Sequence, residues 1–207
     1  AFVVWAVGFS SWLGMHSLDV QGAGGGFLSA SQVSRAAAVE PGTPLARIDL
    51  SAVRDRVEAI PAVASASVRR AWPHTLVVRV TPRLPVAAIQ RDGTWWLMDR
   101  TGVLYARTEG PTPAEPVVRL IGSPGPRTLT EVASVLGALP KDLLTSTREV
   151  SGSSMDSIRL LLRNGSEVRW GSSAAAAQKA AVLQALMHHK AKVYDVTIPS
   201  QPATSGS

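Results

Sequence analysis

Few side chains in this sequence have the spacing that catalysis or metal binding requires. His188 and His189 are adjacent, so on a helix their side chains diverge and cannot both reach one metal ion. We expect them near the end of a surface helix, where a cationic histidine interacts favourably with the helix dipole. The chain has no cysteine, which excludes disulfides, thiolate zinc sites and cysteine nucleophiles.

The glycine-rich stretch and the carboxylates do not support catalysis either. Residues 22–26 are mostly glycine, but they lack the spacing and the Lys-Ser/Thr ending of a phosphate-binding loop, so we expect a flexible turn. No G-x-S-x-G, H-E-x-x-H or Walker motif occurs in the sequence. Six aspartates fall in predicted turns, helix caps or strand ends, without paired spacing: Asp19, Asp49, Asp55, Asp92, Asp99 and Asp195. We therefore expect no catalytic residue, no metal and no cofactor.

The composition is that of a folded protein with a substantial core. Of 207 residues, 45% are hydrophobic and 17% are charged, too little charge for a disordered chain. The net charge of +6 comes mostly from arginine, which we attribute to genomic bias rather than to a nucleic-acid partner. Aromatic residues make up 5% of the chain, too few to indicate base stacking.

Residues 1–15 carry no charged side chain and are rich in Phe, Val, Trp and Leu. A membrane-spanning helix needs about 20 apolar residues, so we predict the outer half of a truncated transmembrane helix, with Trp12 at the interface. No A-x-A cleavage signal follows, which favours a retained anchor over a secretory signal. The alternative is a buried core helix or strand.

Residues 17–81 predict a first domain with the element order β-α-α-β-β. Ser29 or Ser31 can cap the first helix, and Asp49 or Ser51 the second. Alternation of period two then indicates two strands joined by a turn at residues 72–75. The predicted elements are a strand at 18–20, a helix that begins after Ser29 or Ser31 and runs to about residue 39, a helix at 51–60, and strands at 63–70 and 76–80.

A basic stretch lies around the predicted hairpin of this domain. Between Glu58 and Asp92 there is no acidic residue, but there are five arginines: Arg69, Arg70, Arg79, Arg83 and Arg91. These side chains could form a docking face for an acidic partner or an anionic surface. The alternative, which we favour, is the solvated side of the hairpin.

Residues 82–199 predict a second domain, a mixed β-sheet with flanking helices. Asn164-Gly165 is a strong hairpin signal. Residues 200–207 are rich in Ser, Pro and Gly and are predicted to be a disordered tail. The predicted strands are 86–90, 94–98, 103–105, 117–121, 148–151, 157–163, 167–170 and 192–198, and the predicted helices are 129–139 and 174–190.

Several stretches of the chain resemble the FtsQ/DivIB family of bacterial cell-division proteins. They are VQG at 20–22, PAV at 61–63, VRRAWP at 68–73, VTPRLPVA at 80–87, the segment from Trp95 to Val103, and NGSEVRWG at 164–171. Residues 17–81 resemble the POTRA domain of that family and residues 82–199 its following β domain. The Ala/Arg bias and the ending DVTIP at 195–199 resemble actinobacterial members. Pro82 departs from the family, which commonly has an acidic residue before the arginine at this place.

The resemblance implies an α+β protein with a β-α-α-β-β POTRA domain and a mixed β-sheet domain, preceded by the truncated transmembrane helix. It implies a single-pass type II membrane protein at the division septum, with its bulk outside the cytoplasmic membrane. Such a protein is a non-catalytic scaffold that helps control septal peptidoglycan synthesis. Its implied partners are FtsB/DivIC-like and FtsL-like division proteins and the FtsW/FtsI-like synthesis machinery.

The resemblance also implies that a partner adds a strand to the last strand of the β domain. The sequence permits this, because an exposed strand edge carries unpaired backbone groups. The predicted partner-binding residues are Tyr194, Asp195, Val196, Thr197, Ile198 and Pro199. Alternatively, this strand completes the core sheet.

A second hypothesis is a POTRA-type chaperone or export component that binds substrate strands. The absence of amphipathic barrel strands after the POTRA unit favours the scaffold. A cell-envelope hydrolase is a third class, for which the sequence offers no recognisable nucleophile or metal set.

Overall fold

The computed structural model describes residues 14–24, 26–112, 115–122 and 127–206. The chain divides into two compact units, the first ending at Arg83 and the second beginning at Leu84. Both mix helices with strands, which confirms the predicted α+β class. Of the predicted transmembrane segment, residues 1–13 lie outside the part of the chain that the structure describes. Within the described part of the chain, no helix is long and apolar enough to cross a bilayer.

The first unit is a three-stranded sheet with two helices, in the predicted order β-α-α-β-β. Its central strand β3 (Thr75–Pro82) pairs in parallel with β1 (Ser17–Gln21) and antiparallel with β2 (Val63–Ala71). The elements are β1 (Ser17–Gln21), α1 (Ala30–Ala37), a 3₁₀ turn (Leu45–Arg47), α2 (Leu50–Glu58), β2 (Val63–Ala71) and β3 (Thr75–Pro82).

Side-chain caps fix where both helices of this unit begin. Ser29 forms a capping box with Gln32, so two backbone N–H groups at the start of α1 are satisfied reciprocally. The Asp49 carboxylate accepts hydrogen bonds from the backbone N–H groups of Ser51 and Ala52. The Ser51 hydroxyl and the Ala52 N–H also hold the pKa of Asp49 below its ordinary value. Of the two residues predicted as candidates for each cap, Ser29 and Asp49 are the ones that cap the helices.

Arg70 ties the segment between the helices to the sheet. Its Nε donates to the carbonyl of Leu45 and its Nη2 to the carbonyl of Ile48, both at 2.6 Å. Leu45 itself is fully buried, in a core that it shares with side chains from both helices and from β3. Arg69, the neighbouring residue on β2, is exposed.

The second unit is built on a nine-stranded mixed sheet. Its strand order is β12-β11-β10-β9-β8-β7-β4-β5-β6. The strands are β4 (Ala87–Arg91), β5 (Thr94–Met98), β6 (Leu104–Thr108), β7 (Val117–Leu120), β8 (Thr147–Gly152), β9 (Ile158–Leu162), β10 (Glu167–Gly171), β11 (Val193–Asp195) and β12 (Ala203–Ser205). The helices are α3 (Thr128–Ala138), α4 (Lys141–Ser146) and α5 (Ala176–Leu186).

Three helices cover one face of this sheet. Alternate strand residues, with the fully buried Trp170 as the largest, pack against apolar side chains of α3, α4 and α5. Along β7 to β10 the next residues point to the other face and are largely polar. There Arg159 lies 3.2 Å from Glu167, and Arg119 lies 3.1 Å from Glu149. This alternation is the period-two pattern of the sequence. The strand order leaves β11 and β12 at one edge of the sheet.

Lys179 is a buried cation inside this unit. It lies on α5, and its ammonium group donates to the carbonyls of Trp170 at 2.9 Å and Ser172 at 3.0 Å. The first carbonyl lies within β10 and the second directly follows the end of that strand, so the lysine joins the helix to the strand. Loss of hydration on burial lowers the pKa of Lys179 below that of a free lysine.

Arg70→Ala should lower the free energy of unfolding by about 1–3 kcal/mol, because two carbonyls lose a charged donor. Arg69→Ala is the matched control, and an exposed site of this kind should change stability by less than about 0.5 kcal/mol. Urea denaturation followed by circular dichroism measures both. Equal effects of the two variants would contradict the structural role of Arg70.

Lys179 should make stability depend on pH in the alkaline range. As the pH rises toward the ordinary lysine pKa of about 10.4, the folded protein releases this proton before the unfolded chain does. The unfolded state then binds more protons, so the free energy of unfolding of the wild type should rise relative to Lys179→Met. Urea titrations of both proteins between neutral and alkaline pH measure this difference, and a difference that does not change with pH would refute it.

Candidate partner-binding edge

The predicted partner-binding residues begin on β11, which pairs in parallel with β10. Val193 lies opposite Glu167, and Asp195 lies opposite Arg169. The pairing continues on both sides of the strand. Glu167 donates its N–H to the carbonyl of Lys192 at 2.8 Å, and Val196 donates to the carbonyl of Arg169 at 3.0 Å. The main chain from residue 192 to residue 196 is therefore fixed against β10.

Tyr194 and Val196 anchor this segment in the core. Tyr194 is 2% exposed and Val196 is 0% exposed. The Tyr194 hydroxyl donates to the carbonyl of His189 at 2.9 Å and accepts from the N–H of Ala191 at 3.2 Å, which holds the loop after α5. These two residues belong to the predicted site, but their side chains pack inward.

β11 ends at Asp195, and a turn that includes Thr197 follows. The Asp195 carboxylate accepts hydrogen bonds from the backbone N–H of Thr197, at 3.0 Å, and from its hydroxyl. An aspartate that bonds to the backbone two residues on is a common way to start a turn. Ile198 follows with 59% of its surface exposed, and its carbonyl accepts from Gln201 at 2.9 Å. Pro199 lies within this second turn.

The predicted open edge of β11 is occupied. Strand β12 pairs with it in antiparallel fashion, with Val193 opposite Ser205 and Asp195 opposite Ala203. Lys192 donates its N–H to the carbonyls of Ser205 at 3.2 Å and Gly206 at 2.8 Å. The prediction of one strand over residues 192–198 with an open outer side is therefore wrong. The prediction of a disordered tail is also wrong for residues 200–206.

The physical reason is the pair of turns between the two strands. Alternation in residues 192–198 indicated a long strand, but the Asp195 turn breaks it and the turn at 198–201 reverses the chain. The returning strand carries Ala203, Thr204 and Ser205, which show no apolar alternation because none of them faces the core. Sequence patterning depends on burial, so it gave no signal for this strand.

β12 contributes no buried side chain to the sheet. Its three residues are all exposed, so its attachment to β11 rests on main-chain hydrogen bonds. Each such bond contributes about 1 kcal/mol net, and ordering the segment offsets part of that contribution. Within the described residues no strand pairs with the outer side of β12. The edge thus consists of an anchored strand, β11, covered by a weakly held one.

The five arginines of the proposed basic docking face do not share one face. Arg69 and Arg79 lie on the polar side of the first unit's sheet, where Arg79 donates to the Gln21 side chain at 3.0 Å. Arg70 points to the opposite side, toward the carbonyls that it binds. Arg83 donates to the carbonyl of Pro61 at 2.9 Å, and Arg91 belongs to the second unit. The prediction of a common face is wrong for Arg70.

In the part of the chain that the structure describes, no three His, Asp or Glu side chains lie close enough together to hold a metal ion.

Truncation after Pro199 should leave the fold intact, because it removes β12 and no core side chain. We expect a loss in the free energy of unfolding below about 1 kcal/mol, against about 2 kcal/mol for the buried substitution Val196→Ala. Thermal denaturation compares the two proteins. Unfolding of the truncated chain under native conditions would show that β12 is a required part of the sheet.

Two family models match almost the whole chain. One is described as a POTRA domain, FtsQ-type, and matches residues 18–83. The other is described as the C-terminal part of the cell division protein FtsQ/DivIB and matches residues 87–198. The second match stops before β12.

Curated relatives are similar to this chain over nearly all of its own length. The cell division protein FtsQ of Streptomyces venezuelae is 36% identical over 215 residues, which cover 99% of this chain and 79% of that protein. FtsQ of Streptomyces griseus is 34% identical, over 96% of this chain and 100% of the relative. FtsQ of Mycobacterium tuberculosis is 36% identical, over 91% of this chain and 60% of the relative. These genera confirm the predicted actinobacterial character.

One solved structure is also similar. It is the major extracytoplasmic domain of the cell division protein DivIB from Geobacillus stearothermophilus, with 17% identity and a TM-score of 0.42. The match covers 58% of this chain and 98% of that one. From the two family models and the Streptomyces relatives together, we conclude that the chain belongs to the FtsQ/DivIB family of cell-division proteins.

Proposed function

We propose that the chain is a non-catalytic scaffold of the divisome that binds a partner strand at the edge formed by β11 and β12. The partners are FtsB/DivIC-like and FtsL-like division proteins, and through them the scaffold helps control septal synthesis by FtsW/FtsI-like enzymes. The uncharged residues 1–13 anchor it in the cytoplasmic membrane as a single-pass type II protein, with both folded units outside. Family membership supports this arrangement, because it indicates a membrane protein of the division site.

The observation that best supports this binding site is the difference in how β11 and β12 are held in the sheet. β11 is held by the buried side chains of Tyr194 and Val196, whereas β12 is held by main-chain pairing. A strand that pairs through its backbone can be replaced by another strand of different sequence, since backbone groups are common to both. We therefore assign β11 as the permanent half of the site and β12 as the half that a partner strand replaces.

The side chains beside β11 determine what the incoming strand meets. Val193 and Asp195 are half-buried, and in the next strand Glu167 and Arg169 lie opposite them in register. Ile198 is exposed just beyond the paired segment and offers an apolar contact. A partner strand with an apolar residue beside Ile198 gains from covering it, in addition to its main-chain hydrogen bonds.

Calorimetry of the protein with an extracytoplasmic segment of an FtsB/DivIC-like protein tests the site. Truncation after Pro199 removes the strand that competes for β11, so binding should tighten by up to about 5-fold, the equivalent of about 1 kcal/mol. Ile198→Lys should weaken binding about tenfold by placing a charge where an apolar contact forms. Met155→Lys, at another exposed apolar position of the second unit, is the matched control and should not change binding.

Loss of binding on truncation would show that the partner pairs with the outer side of β12 instead of replacing it. Binding unaffected by truncation and by Ile198→Lys would place the site elsewhere. Absence of any binding, with both units folded, would favour the alternative of a POTRA-type chaperone or export component. Such a protein would use β2, the outer strand of the first unit, where the Glu58 carboxylate already accepts the N–H of Ala66 at 2.8 Å.

A further inference from the structure

The first described residues of the chain are held firmly in the first unit. Met15 is buried; its N–H donates to the carbonyl of Thr43, and its carbonyl accepts from the N–H of Gly42, both at 2.8 Å. Gly14 pairs with Pro44, and a side chain at Gly14 would lie 2.7 Å from the carbonyl oxygen of Gly42. Residues 14 and 15 are thus part of the folded unit, which corrects the predicted anchor boundary at residue 15. The position at which residues 1–13 join the unit is therefore fixed.

The turn between β2 and β3 lies directly beside this junction. His16 donates its N–H to the carbonyl of His74 at 2.9 Å, and the His74 ring lies 3.2 Å from the carbonyl oxygen of Gly14. The rings of His16 and His74 meet edge to face, with centroids 4.8 Å apart. The tip of the hairpin and the junction therefore form one surface.

Trp72 lies on this tip and is 54% exposed. In register, Ser17 lies opposite Thr75, and Thr75 lies opposite Ala71, so Trp72 is one residue beyond the row that starts β1. It is therefore level with the junction to within a few ångströms, since a strand rises about 3.3 Å per residue. An exposed indole is costly in water but favourable at a membrane–water interface, where the ring is half-solvated.

The charge around the hairpin is compatible with a lipid surface. Residues 59–91 contain no carboxylate, so this segment does not repel anionic headgroups. The residues on the other side of the junction, 1–13, are uncharged and apolar. A bilayer that holds residues 1–13 has its surface near Gly14, and hence near Trp72.

We propose that Trp72 inserts into the headgroup region of the membrane that anchors residues 1–13. The surface formed by residues 14–16 and 72–74 then rests on the lipid, and the three-stranded sheet stands away from the bilayer with β3 running outward. This inference depends on the membrane anchor of the proposed function. It adds a second point of attachment, which fixes how the first unit is oriented.

The absence of cysteine provides a direct test. Trp72→Cys introduces the only thiol of the chain, which can carry an environment-sensitive fluorophore. The full chain is reconstituted in phosphatidylethanolamine–phosphatidylglycerol vesicles that contain lipids spin-labelled at the headgroup. Thr81→Cys is the matched control, since it is exposed on the same strand ladder, six residues beyond Thr75 and about 20 Å further out. His16→Cys, beside the junction, marks the level of the membrane surface.

We expect the label at position 72 to lose fluorescence to headgroup quenchers as strongly as the label at position 16. The label at position 81 should stay unquenched and accessible to iodide from the solvent. Flotation of the vesicles reports the anchor separately. A protein that floats with the vesicles while its label at 72 behaves like the one at 81 would overturn the insertion of Trp72 alone. A protein that does not float would refute the anchor, and this inference with it.

Discussion

The unpaired backbone groups at the edge of the nine-stranded sheet are the constraint on which the functional interpretation depends. A buried N–H or carbonyl without a partner is costly, so a sheet needs either solvent or another strand at its edge. Here β11, the second strand from this edge, is anchored by the buried side chains of Tyr194 and Val196. Its outer groups are paired with β12, a strand that brings no side chain into the core. The last pairing of the sheet therefore depends on main-chain hydrogen bonds alone.

This arrangement connects stability with binding. The core beneath β11, with Trp170 and the carbonyls held by Lys179, includes no side chain of β12. In the binding mode that we propose, a partner strand meets a strand that is already fixed in place, and it displaces only the main-chain hydrogen bonds between β11 and β12. Because the displaced segment belongs to the same chain, it also limits how tightly an unrelated strand can bind. In the same proposed mode, the edge discriminates between partners by the extra contacts that they make, for example with the exposed Ile198.

Much of the fold could be predicted from the sequence, because burial on one face makes hydrophobic residues recur with a fixed period and helix caps use a few characteristic residue types. The strands of the first unit and the hairpin at Asn164-Gly165 followed from alternation and turn chemistry, and Ser29 and Asp49 cap the helices as expected. Helix α4 was missed, since a six-residue helix with one buried leucine has no period to detect. β12 was missed because its three residues are all exposed and therefore show no apolar alternation. Arg70 was taken for a surface charge because sequence does not reveal which carbonyls a guanidinium will reach.

Amide hydrogen exchange of the protein with and without an FtsB/DivIC-like segment tests the replacement of β12 most directly. If the partner takes the place of β12, the amides of residues 203–205 lose protection on binding while those of β11 keep or gain it. If the amides of residues 203–205 instead become more protected together with those of β11, the partner has added to β12. The assignment of β12 as the replaceable strand would then be wrong.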